Sequence, residues 1–433
     1  MSARNRELLA LVPASLLLTA GFAAIFVQQS AELSDVSLTY GAAFLGLCLC
    51  GHVVIRATLP HADPYLFPLV AVLACFGLVV IYRIDETLAR EQAQWFVVGL
   101  VLFAATIVFV RDFRVLERYR YTVAAAGLLL LLLPRVPGIG QQVNGAYLGV
   151  GIGPISFQPA EFGKIAIVIF LAAYLRDTRQ LLVQGSRRIA GVTIPPLKHF
   201  GPLLVVWGTA MVMLVFIRDL GSSLMFFGGF LALLYVATNR FSFVAVGLGL
   251  FAIGAWFFAN TVGHIQNRID TWRDPFDPAL YGTDGGSYQI AQSLFAQADG
   301  GLFGTGFGQA LITQPDGTAI LPAPQTDLIY AVITNELGLA GACGLLLVYL
   351  MVVERGFKIA MLARDSFAKL LAAGLTAVFA LQVFVIVGGV TKVIPLTGVT
   401  LPFVSYGGSS IVANFVLLAL LLLISDQARR PVR

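Results

Sequence analysis

Residues 328–353 read LIYAVITNELGLAGACGLLLVYLMVV, a continuous apolar run that contains one charged side chain, Glu336. A helix of about 20 apolar residues crosses the hydrocarbon core of a bilayer, so this run predicts a membrane-spanning helix. The whole chain shares this character, because 58% of its 433 residues are hydrophobic, 12% are charged and the mean hydropathy is +0.85. Soluble domains are about one quarter charged. The composition therefore excludes an ordinary soluble protein and predicts a multi-pass integral membrane protein.

Twelve apolar runs of this kind predict an all-α bundle of about twelve transmembrane helices. They cover residues 9–28, 38–55, 66–82, 93–110, 121–134, 160–175, 200–217, 222–238, 242–262, 328–353, 368–390 and 410–425. The first run is long and lacks a small-residue cleavage site, which favours a retained helix over a cleaved signal peptide.

The basic residues between the runs predict the orientation, because Lys and Arg concentrate in cytoplasmic loops. If the N-terminus is inside, most of the 28 basic residues fall in inside segments, with dense groups at 111–120, 176–198, 355–369 and 429–433. We therefore expect both termini on the cytoplasmic side. The net charge of +5 follows from this bias and indicates no nucleic-acid partner.

By this topology, three long connections share the outer face: residues 135–159, 263–327 and 391–409. The second is the longest, and loops of such length are usually functional or disordered. Its many aromatic and aliphatic side chains, Trp272 and Tyr288 among them, favour a segment that folds back onto the bundle.

Charged side chains at membrane depth are costly and are therefore candidate functional residues. Here they are Glu161, Lys164, Asp219, Asp327, Glu336 and Lys392. The four Cys and four His residues are scattered without the spacing of metal ligands, so no metal site is predicted from them.

These charged residues also have purely structural interpretations. Glu161 and Lys164 lie three apart on one helical face and can neutralise each other. Asp219 can pair with its neighbour Arg218. Asp327 can cap the helix that begins at Leu328. Glu336 lies about 13 Å further along that helix, too deep for a cap, and needs a partner or a wet cavity.

A set of motifs occurs in order between residues 157 and 410 of the chain. They are FQPAE at 157–161, DLG at 219–221, GSYQ at 286–289, GGLFGTG at 300–306, PQTDLIYA at 324–331, PLTG at 395–398 and LPFVSYGGSS at 401–410. Together they resemble the SEDS family of shape, elongation, division and sporulation proteins (FtsW, RodA and SpoVE). The SYGGSS ending and the PQTD turn are closest to the RodA branch.

The resemblance begins near residue 70, and the family core has ten spans. We therefore interpret residues 1–65, with two spans, as an addition to a core at 66–433 that includes the external loop 263–327. There are two departures from the family. Gly149 stands where the family has a Trp after Asn-Gly-Ala, so any aromatic sugar contact there falls to Tyr147. Asn335 stands where a second acid commonly precedes Glu336.

The resemblance implies an inverting peptidoglycan glycosyltransferase that polymerises lipid II into β-1,4 glycan strands on the outer face of the bacterial plasma membrane, in cell elongation or division. It places the family's essential aspartate at Asp327, the expected general base. Expected diphosphate-binding residues are Lys164, Arg268 and Lys392. Residues expected to organise the cavity are Glu161, Asp219, Glu336, Gln158 and Ser405.

The implied partners are lipid II, the undecaprenyl-diphosphate-linked glycan, membrane lipid and a class B penicillin-binding protein that supplies the transpeptidase. These residues identify no specific cofactor, and a divalent cation, Mg²⁺ or Mn²⁺, can share the cationic role. Two alternatives stay open: a lipid II flippase or other transporter, whose many spans and intramembrane charges would fit equally well, and a non-catalytic scaffold for a transpeptidase. The lack of an internal repeat and the clustering of charges toward one face weigh against the transporter.

Overall fold

A computed structural model of the chain describes residues 2–28, 35–143, 146–152, 155–184, 187–189, 192–194, 208, 219–261, 263–282, 286–310, 312 and 320–431. Its helices are α1 (Ala3–Gln28), α2 (Asp35–Thr58), α3 (Leu66–Ile84), α4 (Glu86–Phe109), α5 (Arg114–Arg118), α6 (Arg120–Leu132), α7 (Pro159–Gln184), α8 (Leu220–Thr238), α9 (Phe241–Thr261), α10 (Gly263–Arg273), α11 (Pro278–Tyr281), α12 (Tyr288–Gly300), α13 (Ile329–Leu362), α14 (Ser366–Val390) and α15 (Gly408–Arg429).

The prediction of a multi-pass helical membrane protein is confirmed. Within the described ranges, eight helices are long and apolar enough to cross a bilayer: α1 to α4, α8 and α13 to α15. The remaining predicted runs coincide with α6, α7 and α9. The seventh run, 200–217, lies outside the described residues.

Helix α15 lies at the centre of the bundle, and 89% of the residues in its most apolar stretch are buried. Helices α4, α7, α13 and α14 pack around it. The Phe415 ring packs edge-to-face against Phe96 and Phe403, with centroids 5.2 and 5.3 Å away. Gly99 makes this approach possible, because a Cβ there would lie 2.5 Å from the Phe415 ring. Close packing of this kind fixes the elements that hold the outer loops.

Both ends of the chain lie at the same end of the bundle. Arg4 donates a hydrogen bond to the Ala62 carbonyl, and Arg429 forms an ion pair with Asp63. Arg364, in the turn after α13, donates to the Arg430 carbonyl over 2.8 Å. Asp327 precedes the other end of α13 and therefore lies at the opposite end of the bundle.

Helix α13 is broken at Gly338, whose backbone angles are φ 65° and ψ −170°. The segment Gly300–Gly306 fills the break. It accepts hydrogen bonds from the N–H groups of Leu339 and Ala340, and it donates to the carbonyls of Asn335 and Glu336. A Cβ at Gly338 would lie 2.3 Å from the Gly304 nitrogen, so the two backbones touch only because both residues are glycine.

The outer connection 135–159 contains a small antiparallel sheet that the sequence did not predict. Its strands are β1 (Gly140–Val143), β2 (Ala146–Ile152) and β3 (Ile155–Phe157), in the order β1-β2-β3. The Arg135 guanidinium covers the Tyr147 ring at 4.1 Å, so one face of this aromatic side chain is already occupied. A second, two-stranded sheet pairs β4 (Arg187–Ile189) with β5 (Val192–Ile194).

Candidate active site

Asp327 lies at the end of the turn that precedes α13. The helix begins at Ile329, and its N-terminal cap is Leu328, with no capping hydrogen bond from any side chain. The capping interpretation of Asp327 is therefore wrong. Among the residues that the structure describes, none gives a hydrogen bond to its carboxylate. A partly accessible carboxylate without a partner is available to act on a substrate.

The turn that carries Asp327 is held by the loop 391–407. The Ser405 hydroxyl donates to the Thr326 carbonyl over 2.8 Å and accepts from the Leu401 N–H over 2.9 Å. The Tyr406 N–H donates to the Gln325 carbonyl over 2.8 Å. Ser405, expected to organise the cavity, thus fixes the residue immediately before Asp327.

Arg268 is the charged neighbour that acts on Asp327. Burial of the carboxyl raises the pKa of Asp327 to about 6, and the positive charge of Arg268 opposes that rise. The guanidinium is oriented by a 2.8 Å hydrogen bond to the Leu396 carbonyl. The site thus pairs a carboxylate of raised basicity with a fixed cation.

Asp219 caps α8 and is a second carboxylate on which the charge of Arg268 acts. Its carboxylate accepts a hydrogen bond from the Ser222 N–H over 2.9 Å. Burial raises the pKa of Asp219, whereas the bonds from Ser222 and the charge of Arg268 lower it. The cap is a role that the sequence did not reveal for Asp219. Its predicted alternative, a pair with Arg218, concerns a residue outside the described ranges.

Lys164 and Glu161 form a buried ion pair of 2.6 Å on the first turns of α7. The Lys164 ammonium also donates to the Gln382 side-chain oxygen over 2.6 Å, and Gln382 donates to the Thr400 carbonyl over 2.9 Å. The mutual neutralisation expected from the spacing is therefore present. Glu161 also acts electrostatically on Asp219. The pair thus joins α7 to the loops around Asp327, and Lys164 is buried with two of its donors engaged.

Glu336 is separate from this group. Its carboxylate pairs with Arg83 at 2.8 Å, and the Arg83 guanidinium donates to the carbonyls of Gly308 and Ala310 over 2.8 and 2.7 Å. The partner that Glu336 was expected to need is therefore Arg83. The pair fastens two elements to α3: the part of α13 just before the Gly338 break, and the segment that follows Gly306. No motif in the sequence marks Arg83 as the partner of Glu336, because the two residues lie far apart in the chain.

Lys392 and Gln158 make contacts that are mainly structural. The Lys392 ammonium donates to the Arg273 carbonyl over 3.3 Å, and its own carbonyl accepts from the Trp272 indole over 3.1 Å. These bonds hold α10 against the loop. The Gln158 N–H donates to the Ser409 hydroxyl over 2.8 Å, which ties the start of α7 to α15.

Thr397 belongs to the PLTG motif at 395–398 but is not among the site residues predicted from the sequence. It is 5% exposed, and in the described part of the chain its hydroxyl has no hydrogen-bond partner. It precedes Gly398, where a Cβ would lie 3.5 Å from the Asp327 carboxylate, and it packs against Gly221. A buried hydroxyl without a partner is costly, so Thr397 is a residue to test for a role in the site.

A divalent cation would need several carboxylate or imidazole ligands close together. In the described ranges, no group of three His, Cys, Asp or Glu side chains could hold a metal ion. The charge of Arg268 acts on both Asp219 and Asp327, so positive charge is already present near these carboxylates. The residues therefore do not fit a preformed metal cage. A cation would need oxygen ligands from the substrate.

Comparison with known proteins identifies a matching family. The family model FTSW_RODA_SPOVE, described as a cell cycle protein, matches residues 64–430. The chain is 43% identical to the peptidoglycan glycosyltransferase RodA of Mycobacterium bovis, over 99% of this chain and 92% of that protein. It is 32% identical to the stage V sporulation protein E of Bacillus subtilis, over 80% of this chain and 90% of that protein.

Two solved structures are similar to this fold. A chain of a peptidoglycan synthase complex, described as coordinating polymerisation and crosslinking, has a TM-score of 0.66 and 26% identity, covering 86% of this chain and 99% of its own. The crystal structure of the rod shape determining protein RodA of Thermus thermophilus has a TM-score of 0.59 and 26% identity, with 86% and 98% covered. The predicted similarity to the RodA branch is thus confirmed, since the RodA relatives are more identical than the sporulation protein.

Proposed function

This chain belongs to the FtsW/RodA/SpoVE family, and we propose that it is a peptidoglycan glycosyltransferase that polymerises lipid II into β-1,4 glycan strands. The observation that carries the proposal is the Asp327 carboxylate, which has a raised pKa and, among the described residues, no hydrogen-bond partner, beside the fixed guanidinium of Arg268. A carboxylate and a cation are the two groups that inverting transfer from a diphosphate needs.

In the proposed reaction, the 4-hydroxyl oxygen of lipid II attacks the anomeric carbon of the glycan on undecaprenyl diphosphate. A new C–O bond forms on the face opposite the leaving group, so the configuration inverts. The bond from the anomeric carbon to the diphosphate breaks with its electron pair. Asp327 accepts the hydroxyl proton, and undecaprenyl diphosphate departs as the anion.

The raised pKa of Asp327 suits the role of base. A carboxylate with a pKa of about 6 accepts a proton more readily than an ordinary aspartate and is still mostly ionised at neutral pH. Burial raises the pKa of Asp327, and the positive charge of Arg268 limits the rise. Asp327 thus has the basicity that the proposed step requires.

Arg268 is the first candidate for the departing diphosphate, because a guanidinium can make two parallel hydrogen bonds to phosphate oxygens. Lys164 is a second candidate. Lys392 has weaker support, since its ammonium contacts the Arg273 carbonyl. Glu161 holds Lys164 through their ion pair, and Asp219 and Arg268 act on each other electrostatically.

We further propose that both termini are cytoplasmic and that the 263–327 loop faces the outside of the bacterial plasma membrane. The positive-inside bias supports this orientation. The expected partner is a class B penicillin-binding protein that crosslinks the new strands. Its support is the similar chain from a complex described as coordinating polymerisation and crosslinking.

The test is polymerisation of lipid II by the purified, reconstituted chain. Asp327→Asn should abolish glycan synthesis, because general-base catalysis is worth about a hundred- to ten-thousandfold in rate. Asp299→Asn, at an exposed position on α12, is the matched control and should keep wild-type activity. Wild-type protein that moves lipid II across the membrane without polymerising it would identify a flippase. A wild-type protein that does neither would favour the scaffold.

A further inference from the structure

A polar cavity lies at the end of the bundle opposite Asp327. It has a volume of about 400 Å³ and is lined by Arg114, Glu117, Arg118, Arg120, Tyr121 and Asp177. Along α7, Asp177 follows Glu161 by 16 residues, which corresponds to about 24 Å. This distance approaches the thickness of the hydrocarbon core, so the cavity lies near the other membrane surface.

The two carboxylates of the cavity are already neutralised. Arg120 forms an ion pair with Asp177, and Arg176 forms one with Glu117. Arg120 also lies over the Tyr121 ring, 5.2 Å from its centroid. These pairs fix the walls of the cavity between α5, α6 and α7.

Two positive charges remain available. In the part of the chain that the structure describes, the guanidinium groups of Arg114 and Arg118 make no hydrogen bond or ion pair. Both side chains are exposed and line the same cavity. Two unpaired guanidinium groups in one cavity are suited to bidentate contacts with phosphate oxygens.

The surroundings of the cavity are those of a membrane surface. Tyr121 lines it and is 60% exposed, and Phe109, at the end of α4, is 85% exposed. Aromatic side chains are enriched where the bilayer meets water. An acyl chain could therefore pack beside these rings while its headgroup enters the cavity.

We propose that this cavity binds the phosphate group of an anionic phospholipid through Arg114 and Arg118. The site is separate from the proposed glycosyl transfer and does not depend on it. An excess of arginine on one side of a membrane protein also arises from topology alone. That explanation assigns no special role to Arg114 and Arg118. Removing the same charge from other residues therefore distinguishes a specific lipid site from a general excess of positive charge.

The test measures ligand binding to the full chain purified in neutral detergent, by native mass spectrometry at constant salt. The probes are short-chain phosphatidylglycerol, short-chain phosphatidylcholine and inorganic phosphate. The wild type should retain phosphatidylglycerol in preference to the other two. Removing both charges with Arg114→Gln and Arg118→Gln should weaken that binding about thirtyfold, since each basic residue near anionic lipid contributes about fivefold.

The matched control is Arg111→Gln with Lys369→Gln. It removes the same charge from exposed positions at the same end of the bundle, outside the cavity lining, and should bind as the wild type does. If both double variants bind phosphatidylglycerol equally weakly, the general positive charge of this surface explains the binding and the proposal is overturned. Equal binding of inorganic phosphate and phosphatidylglycerol would overturn the lipid as occupant. If the Gln variant unfolds, Arg114→Lys with Arg118→Lys keeps the charge but removes the paired guanidinium hydrogen bonds, so binding of phosphatidylglycerol should weaken. Unchanged binding in a folded Lys variant would contradict the proposed contact.

Discussion

At the scale of single residues, protonation of Asp327 should determine how the rate of lipid II polymerisation falls at low pH. A general base works only when it is ionised, so activity is present above its pKa and is lost as pH falls. With a pKa of about 6, the rate of lipid II polymerisation should fall about tenfold per unit below pH 6. A rate profile between pH 4.5 and 8 measures this. A flat profile down to pH 5 would show that another group is the base.

Thr397 gives a second prediction at this scale, because its hydroxyl is buried without a partner in the described structure. Thr397→Val keeps the volume and removes the hydroxyl, so the free protein should be stabilised by about 1 kcal/mol. Polymerisation should fall about tenfold, the value of one hydrogen bond to substrate. Thr397→Ser keeps the hydroxyl and should retain activity. A Val variant of normal activity would make Thr397 a packing residue only.

At the scale of elements, the break in α13 depends on Gly338. A Cβ there would meet the Gly304 nitrogen and the Leu302 carbonyl oxygen at 2.3 and 2.5 Å, and only glycine readily adopts these backbone angles. Gly338→Ala should therefore destabilise the protein by about 3 kcal/mol or more.

The control lies in the same helix. A Cβ at Gly344 would have no atom within 4 Å, so Gly344→Ala should be neutral or stabilise the helix by up to about 1 kcal/mol. Thermal unfolding in detergent compares the two variants. Similar unfolding temperatures for the two variants would mean that the helix break at Gly338 tolerates a side chain.

At the scale of the whole molecule, the topology makes a prediction for chemical labelling. In a background without reactive cysteines, Asp299→Cys on α12 should react with a membrane-impermeant thiol reagent in intact cells. Lys369→Cys, near the start of α14, should react only after permeabilisation. The reverse pattern would invert the proposed orientation. Both positions are exposed, so a lack of reaction cannot be assigned to burial.

The membrane bundle could be predicted from sequence because the length of an apolar run directly reflects the thickness of the bilayer.

The candidate site was predictable in part. Asp327 and Arg268 follow from motifs, and the structure places them together. The Arg83–Glu336 pair joins residues far apart in the chain, and no local pattern reports it. The cap at Asp219 and the role of Lys392 at Arg273 likewise depend on how loops pack.

The break at Gly338 also has a consequence for the order in which the chain is made. The segment Gly300–Gly306 leaves the ribosome before its partners near Gly338, about 38 residues later. At about 5 to 20 residues per second, that delay is roughly 2 to 8 s. Four backbone hydrogen bonds between the two segments cannot form during this time. Completion of the outer loop therefore waits for the insertion of α13, and the site around Asp327 is assembled only when both have met.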